Sequence, residues 1–354
     1  MSLEPARERI DQIDEQIIQL LRQRGQVVQE IGQIKDASGL AIYDPAREAQ
    51  LLDKLTSGDL SPLDKEAIVA IYRQIIAACR NLQRPLRVVF LGPQYTFSHI
   101  AALQYFGQTA ELSSTAAIEE VFAAVERGAA DYGIVPIENS IQGVEARTLD
   151  CLFETNLQIC AESYVPIHLH LLANCELAQV QAVHSHPQPL GQCRQWLRAN
   201  LPEAELVHES STAAAAAAIA EERYHAAIAA AEAAAAYGLQ VLASNIEDQA
   251  DNRTRFFVIG QHSAAASGSD KTSLVFTTEH QSGALYQALA PFSAHNINLT
   301  LIQSRPARGA VAGPYYFYVD FDGHAASAEV VEAVAALREC CSFVKILGSY
   351  PEAG

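Results

Sequence analysis

The chain has 354 residues, 49% of them hydrophobic, so it can bury substantial cores, and its length points to two or three domains. A formal net charge of −17 argues against generic binding to nucleic acid or anionic membranes, which select basic surfaces. No apolar run reaches 18 residues and the segment Met1 to Ile10 is charged, so a cytoplasmic protein outside the membrane is expected. Seven cysteines (Cys79, Cys151, Cys160, Cys175, Cys193, Cys340, Cys341) are scattered without CxxC or Cys/His ligand spacing and read as reduced thiols, with no metal site. Residues 1 to 84 carry 11 Lys/Arg against 13 Asp/Glu, and residues 85 to 354 carry 13 against 28. Anionic ligands would therefore need pockets where a few cations do the binding.

Residues 6 to 37 lack proline, and Ile10, Ile13, Ile17, Leu20, Leu21, Val27, Val28, Ile31 and Ile34 recur at helical spacing, which predicts one helix of roughly 50 Å. Ser38-Gly39 ends it, Asp44-Pro45 starts a second helix running to about Ser57, and Ser61-Pro62 a third running to about Gln83. Three helices of such unequal length cannot close a core alone, and dimerisation through the long helix is the economical solution. Arg24 and Lys35, eleven residues apart, share one helix face roughly 16 Å apart and can converge on a small anion. Arg7 lies roughly 25 Å before Arg24 along the axis and could join the same ligand only from a second chain.

Arg7, Arg24 and Lys35, then Asp44-Pro45-Ala46-Arg47-Glu48, then Gln83 late in the third helix, resemble the AroQ class of chorismate mutases across the first 84 residues. The resemblance implies an intertwined helical dimer with two sites, each borrowing Arg7 from the partner. The reaction is a Claisen rearrangement that develops negative charge on the breaking ether oxygen, so preorganised donors suffice. It implies Arg7, Arg24 and Arg47 at the two carboxylates, Lys35 and Gln83 at the ether oxygen, and Asp44 and Glu48 at the ring hydroxyl and in backbone positioning. Cys79, where a relative has serine, is a wall contact of the substrate site.

From Leu86 to about Gly260, strand and helix patterns alternate as in an α/β fold, starting with the strand Leu86 to Leu91 and the loop Gly92 to Ser98. Ala213 to Ala220 and Ala226 to Ala236 read as two closely packed helical faces. Polar strings stand at Pro136 to Gly143, Ser185 to Cys193, Glu209 to Ala213 and Thr254-Arg255-Phe256, several where a strand meets a helix. With Gly92-Pro93 and Ser98, these strings resemble prephenate dehydratase over residues 86 to 262. That implies two lobes hinged like a periplasmic binding protein, residues 86 to 163 with about 245 to 262 in one and 164 to 244 in the other. It also implies Thr254 as hydrogen-bond donor to the departing hydroxyl, with Glu138, Asn139 and Gln192 shaping and assisting the site. Ser211 and Thr212 read equally as a helix cap or as carboxylate binders, and Arg255 as a carboxylate binder or a structural ion pair. His184 and His186 read as a strand-end turn rather than a metal pair.

After a linker at Ser263 to Ser269, the order strand (272 to 277), helix (284 to 294), strand (299 to 304), strand (315 to 321), helix (327 to 338), strand (343 to 347) is the ferredoxin-like plan. Gly283-Ala284-Leu285-Tyr286, Asn298-Leu299-Thr300 and Ser304-Arg305-Pro306 resemble an ACT domain over residues 271 to 354, which implies an amino-acid sensor at a dimer interface or a module kept for dimerisation. In its phenylalanine-binding form a glutamate stands where this chain has Gln303, whose neutral amide orients a loop but cannot form an ion pair with the ligand's ammonium.

The three modules thus imply a homodimer converting chorismate to prephenate and prephenate to phenylpyruvate without a cofactor, with L-phenylalanine as effector. The rival reading is a non-catalytic amino-acid-responsive binding protein. A dehydrogenase fusion would need GxGxxG after an early strand, and Leu91-Gly92-Pro93-Gln94 is not one.

Overall fold

The computed structural model describes residues 3–38, 43–279, 281–306 and 315–353. Helices α1 (Glu4–Ser38), α2 (Pro45–Thr56) and α3 (Lys65–Asn81) come first. Gly39, expected to stop the first helix, lies outside the described residues. Within one chain α1 leaves its apolar stripe in water, with Ile10, Ile13, Ile17, Leu20, Val27, Ile31 and Ile34 all exposed. Its second half lies close to the end of α3: a Cβ on Gly25 would sit 3.1 Å from Leu82, and one on Gly32 2.8 Å from Gln83. Asp44 caps α2 by accepting the Arg47 N–H at 3.0 Å, with Pro45 in the first turn. The third helix starts at Lys65 rather than at Ser61-Pro62, because a turn closes from Leu60 O to Leu63 N and the Asp64 carboxylate then accepts the Ala67 N–H at 2.7 Å. Gln83 falls just beyond the helix, past the C-cap Leu82.

The next unit begins β1 (Arg87–Leu91), α4 (Phe97–Phe106), β2 (Glu111–Thr115), α5 (Ile118–Glu126), β3 (Tyr132–Asn139), β4 (Gly143–Val144), α6 (Ala146–Glu154), β5 (Gln158–Pro166). The chain then crosses to a second sheet: β6 (His170–Ala173), β7 (Ala182–Ser185), α7 (Pro187–Gln192), α8 (Arg194–Asn200), β8 (Glu205–His208), α9 (Thr212–Ala218), β9 (His225–Ala229), α10 (Ala231–Tyr237), β10 (Gln240–Ala243). It returns as β11 (Arg253–Gly260) between β3 and β5, giving a first sheet ordered β2-β1-β3-β11-β5 and a second ordered β10-β6-β9-β7-β8. Two crossings between two sheets make the two-lobed architecture.

One expectation fails here. Ala226 to Ala229 form β9, a central strand fully buried between β6 and β7, and only Ala231 onward is helical. Alanine's helix preference is worth less than 1 kcal/mol per residue over most others, so a site that pairs the backbone on both edges and admits only small side chains overrides it.

The third unit is β12 (Asp270–Thr277), α11 (Ala284–Ala294), β13 (Leu299–Pro306), β14 (Tyr315–Asp322), α12 (Ala328–Cys340), β15 (Phe343–Pro351), an antiparallel sheet ordered β13-β14-β12-β15. Its helices cover one face through Ala288, Phe292, Val330 and Leu337. The other face shares a core with the first sheet, where Val275, Tyr318, Leu347 and Tyr350 join Ile137, Ile159 and Phe257. The helical unit is anchored too: Tyr43, between α1 and α2, is 4% exposed and inserts among Tyr105, Phe106 and Tyr132.

Candidate active sites and their links

A cavity of about 540 Å³ opens between the three N-terminal helices, lined by Arg24 and Lys35 of α1, Asp44, Arg47 and Glu48 of α2, and Cys79, Arg80 and Gln83. Seven of these were expected from sequence. Arg7 does not line it, since it lies on the exposed first half of α1. Three buried polar atoms on the cavity residues have no partner among the described residues, Arg24 Nη1, Arg80 Nε and Gln83 Oε1. An uncompensated buried donor and acceptor cost free energy unless something else satisfies them, so the cavity suits a polar, anionic guest.

Arg80 was missed by sequence reading. It is 5% exposed, donates from Nη1 to Glu48 Oε1 at 2.8 Å, and lies over the Tyr43 ring at 4.8 Å. Burial pushes the Glu48 carboxyl above its usual value, with Arg80 the largest opposing influence. The only available signal was its spacing of one residue from Cys79, too weak to separate it from a solvated helix arginine.

In the α/β unit, Asn139 and Thr254 face each other on β3 and β11, and Asn139 Nδ2 donates to Thr254 Oγ1 at 3.0 Å and to Asn252 Oδ1 at 2.9 Å. Asn139 Oδ1 accepts the backbone N–H groups of Ile141 and Gln142 at 3.1 and 3.2 Å. Ser140 locks this loop to Arg253, its N–H donating to Arg253 O and its Oγ accepting the Arg253 N–H, both at 3.0 Å. A β-bulge makes the pairing possible. Phe256 pairs with Pro136 but Arg255 pairs with Glu138, so β3 carries one extra residue at Ile137. Without it, strict alternation from Ile134 would turn Asn139 to the face opposite Thr254. Glu138 stands opposite Arg255 in the ladder and makes no side-chain hydrogen bond among the described residues.

Of the two readings of Arg255, the geometry takes the ion pair. Adjacent strand residues point to opposite faces, so Arg255 turns away from Thr254. Its Nε donates to Glu162 at 2.7 Å, Nη1 to Asp320 at 2.5 Å and Nη2 to the Tyr350 hydroxyl at 3.0 Å. Asp320 and Tyr350 belong to the third unit, so this arginine joins two units and is not available as a carboxylate binder. Burial works against its charge, but Tyr350, Asp320 and Glu162 together hold its pKa above the usual value.

Ser211 is occupied as a cap, its Oγ accepting the Ala214 N–H at 3.0 Å at the start of α9, and Thr212 is buried beside it. Gln192 ends α7. Its carbonyl accepts the Asp248 N–H at 2.7 Å, and its Nε2 is buried without a partner among the described residues, as is Asn252 Nδ2. Tyr95, in the loop after β1, meets Tyr237 of α10 edge to face at 5.8 Å and so joins the two lobes. That loop is held by His99, whose Nδ1 accepts the Tyr95 N–H at 3.1 Å and whose pKa burial lowers. His184 bonds Glu209 at 3.1 Å and stacks on His225.

In the third unit, Gly283 (φ +82°) caps α11 in a conformation that favours glycine, ahead of Ala284 and Leu285. Asn298, next to Leu299, donates to Asp322 at 3.0 Å, and the Gln303 amide turns back to the Ser304 carbonyl at 3.1 Å. Arg305 reaches out of its unit, Nη2 lying 2.8 and 2.7 Å from the two Asp150 oxygens on α6.

The family profile Chorismate mutase type II matches residues 6–84, Prephenate dehydratase residues 88–264 and ACT domain residues 272–339. A bifunctional chorismate mutase/prephenate dehydratase from Aquifex aeolicus is 43% identical, over 99% of this chain and 98% of its own length. The protein of that name from Neisseria gonorrhoeae is 41% identical over 99% and 97%. A prephenate dehydratase from Arthrobacter aurescens, solved in complex with L-Phe, superposes with a TM-score of 0.70 at 36% identity, covering 75% of this chain and 90% of that one. The chain belongs to the bifunctional chorismate mutase/prephenate dehydratase family.

Proposed function

We propose that the cavity among α1, α2 and α3 rearranges chorismate to prephenate, that the cleft around Thr254 converts prephenate to phenylpyruvate, and that the third unit senses L-phenylalanine. The modules are assigned to residues 1–84, 86–262 and 271–354. In the first, Arg24 and Arg47 bind the carboxylates, and Lys35 and Gln83 stabilise the charge growing on the ether oxygen. Asp44 and Glu48 set the ring hydroxyl. Arg7 comes from a second copy, and the exposed apolar stripe of α1 supports a homodimer formed through that helix. Cys79 serves as a wall contact.

In the second reaction the ring carboxylate leaves as CO2, its bonding electrons aromatise the ring, and the 4-hydroxyl departs with a proton as water. Hydroxide is a poor leaving group, so a donor must meet it. Thr254 Oγ already accepts from Asn139, which leaves its own proton free to point at the substrate, and two backbone N–H groups polarise that chain from behind. Gln192, with an unspent buried amide, is the further substrate contact from the other lobe. Glu138, on β3 opposite Arg255, lies on the strand face turned away from Thr254 and assists through the Asn139 beside it. The observation that carries this reading is that one chain holds both a cation-lined cavity with orphaned polar atoms and, separately, a hydroxyl poised by a side-chain amide. Sensing rests on Gly283, Ala284, Leu285, Asn298, Leu299, Gln303, Ser304 and Arg305, and the Arthrobacter relative's L-Phe complex supports it. We place the enzyme in the cytoplasm.

The test is to feed purified protein chorismate without a nicotinamide cofactor, with and without phenylalanine. Chorismate should disappear, phenylpyruvate should accumulate, and phenylalanine should slow its appearance. Accumulation of prephenate alone would remove the second assignment. Unchanged chorismate would remove the first, and an unchanged rate with phenylalanine would leave the third unit as a dimerisation module.

A further inference from the structure

Arg80 divides its guanidinium between two modules. Nη1 donates to Glu48 Oε1 at 2.8 Å on the wall of the helical cavity, while Nη2 donates at 3.1 Å to the carbonyl of Phe106, the last residue of α4 in the α/β unit. A helix C-terminus presents unpaired carbonyls and the negative end of the helix dipole, so it is a natural seat for a cation. The seat is aromatic as well: the guanidinium carbon lies 4.8 Å from the Tyr43 ring and 5.7 Å from the Phe106 ring. Tyr43 is fixed by edge contacts with Tyr105 and Tyr132 and by a short hydroxyl-to-hydroxyl hydrogen bond with Tyr105. The units are in close contact there, since a Cβ on Gly107 would sit 2.7 Å from the Cβ of Ala77 on α3.

We infer that Arg80 is a positioning residue for the mutase reaction, holding Glu48 on the cavity wall, and that the α/β unit, by seating Arg80, completes the mutase site. The inference rests on reading the cavity as that site. The charged and titratable groups acting on Glu48 are Arg80 from α3, Asp44 at the head of α2 and Lys35 from α1, with the Tyr43 and Tyr105 hydroxyls coupled to it through the shared cluster. Burial raises the Glu48 carboxyl, and of the two cations Arg80 opposes this more than Lys35 does. Without Arg80, Glu48 would take up a proton at higher pH and lose its anchor. A mutase unit cut away from the rest of the chain would keep Arg80 but lose its seat.

The test uses the full chain with Arg80→Met and Arg80→Lys, following chorismate loss across about pH 5 to 9 and, separately, phenylpyruvate formed from supplied prephenate. Arg80→Met is expected to lower mutase kcat/KM by about ten- to a hundredfold, the range for losing one hydrogen bond to a charged group, with the deficit growing as pH falls. Arg80→Lys should restore the position of the acid limb but only part of the rate, because one ammonium lacks the planar fork that spans both acceptors. Dehydratase turnover should stay within about twofold, which reports an intact fold. In a Glu48→Gln background, Arg80→Met should cost nothing further. Losses that multiply with Glu48→Gln and leave the pH profile in place would overturn the inference, as would an unchanged mutase. If Arg80→Met also loses dehydratase turnover, the acid limb of Arg80→Lys decides by the same criterion. Absence of mutase activity in the unmodified chain is a different failure, that of the cavity assignment.

Discussion

Replacing Arg255 by methionine separates its two sequence-level readings in one experiment. The change keeps an unbranched apolar stem and removes the guanidinium, with its charge and its three donated hydrogen bonds. Asp320 would then be left with the Ser273 hydroxyl at 2.6 Å and no cation among its described partners, while Glu162 would keep Lys271 at 3.2 Å and the Ala353 N–H at 3.0 Å. Tyr350 would lose a donor but keep Ser273. Removing one partner of a buried ion pair costs about 3–5 kcal/mol, and Asp320, being 3% exposed, cannot recover that by hydration. At about 2–4 °C per kcal/mol for a unit of this size, the melting transition that unfolds the α/β and third units should drop by roughly 6–20 °C. Differential scanning calorimetry on the full chain reads it, and prephenate saturation curves on the same sample supply the second coordinate. If Arg255 instead gripped a substrate carboxylate, KM for prephenate would rise by about a hundredfold or more with melting unchanged within about 2 °C. That result would refute the geometry described here.

Thr254→Val keeps the shape of the residue and removes the hydroxyl. Dehydratase kcat should fall by about 10²–10³, the usual cost of deleting one preorganised donor, with mutase turnover unaffected and Thr254→Ser retaining most of the rate. An undiminished kcat in the valine variant would discard Thr254 as the donor. Arg305→Ala cuts the tie between β13 and α6, worth about 1–2 kcal/mol for a half-buried pair, and should shift the phenylalanine inhibition curve while leaving uninhibited turnover within about twofold; an unmoved curve would exclude this contact from signalling. His99 predicts a pH effect. Burial lowers its folded pKa below the free value of about 6.5, so its contribution to stability is complete above that pH and lost as pH falls through the folded value. The drop in melting temperature between about pH 8 and pH 5.5 should therefore be smaller in His99→Gln than in the unmodified chain, and equal drops would show that this imidazole takes up its proton equally in the folded and unfolded states.

Much of this protein was legible along the chain. The 3.6-residue stripe of α1, the Asp44-Pro45 start of α2 and the strand-helix order of the third unit are local signals, set by side-chain spacing and capping chemistry before any long-range contact forms. The polar strings of both candidate sites were visible for the same reason, as were Arg24 and Lys35 on one helix face. What local signals could not decide was orientation and partnership. The bulge at Ile137 that turns Asn139 toward Thr254 arises from pairing with β11, more than a hundred residues later, and the same strand's alternation sends Arg255 into the third unit. The alanines of β9 became a strand because the centre of a sheet offered their backbone two partners, a choice that outweighs a propensity of less than 1 kcal/mol per residue. Arg80 could not be read as more than a helix arginine until Phe106 and Tyr43 were brought beside it, since its meaning lies in a contact between modules and not in its own neighbourhood of the sequence.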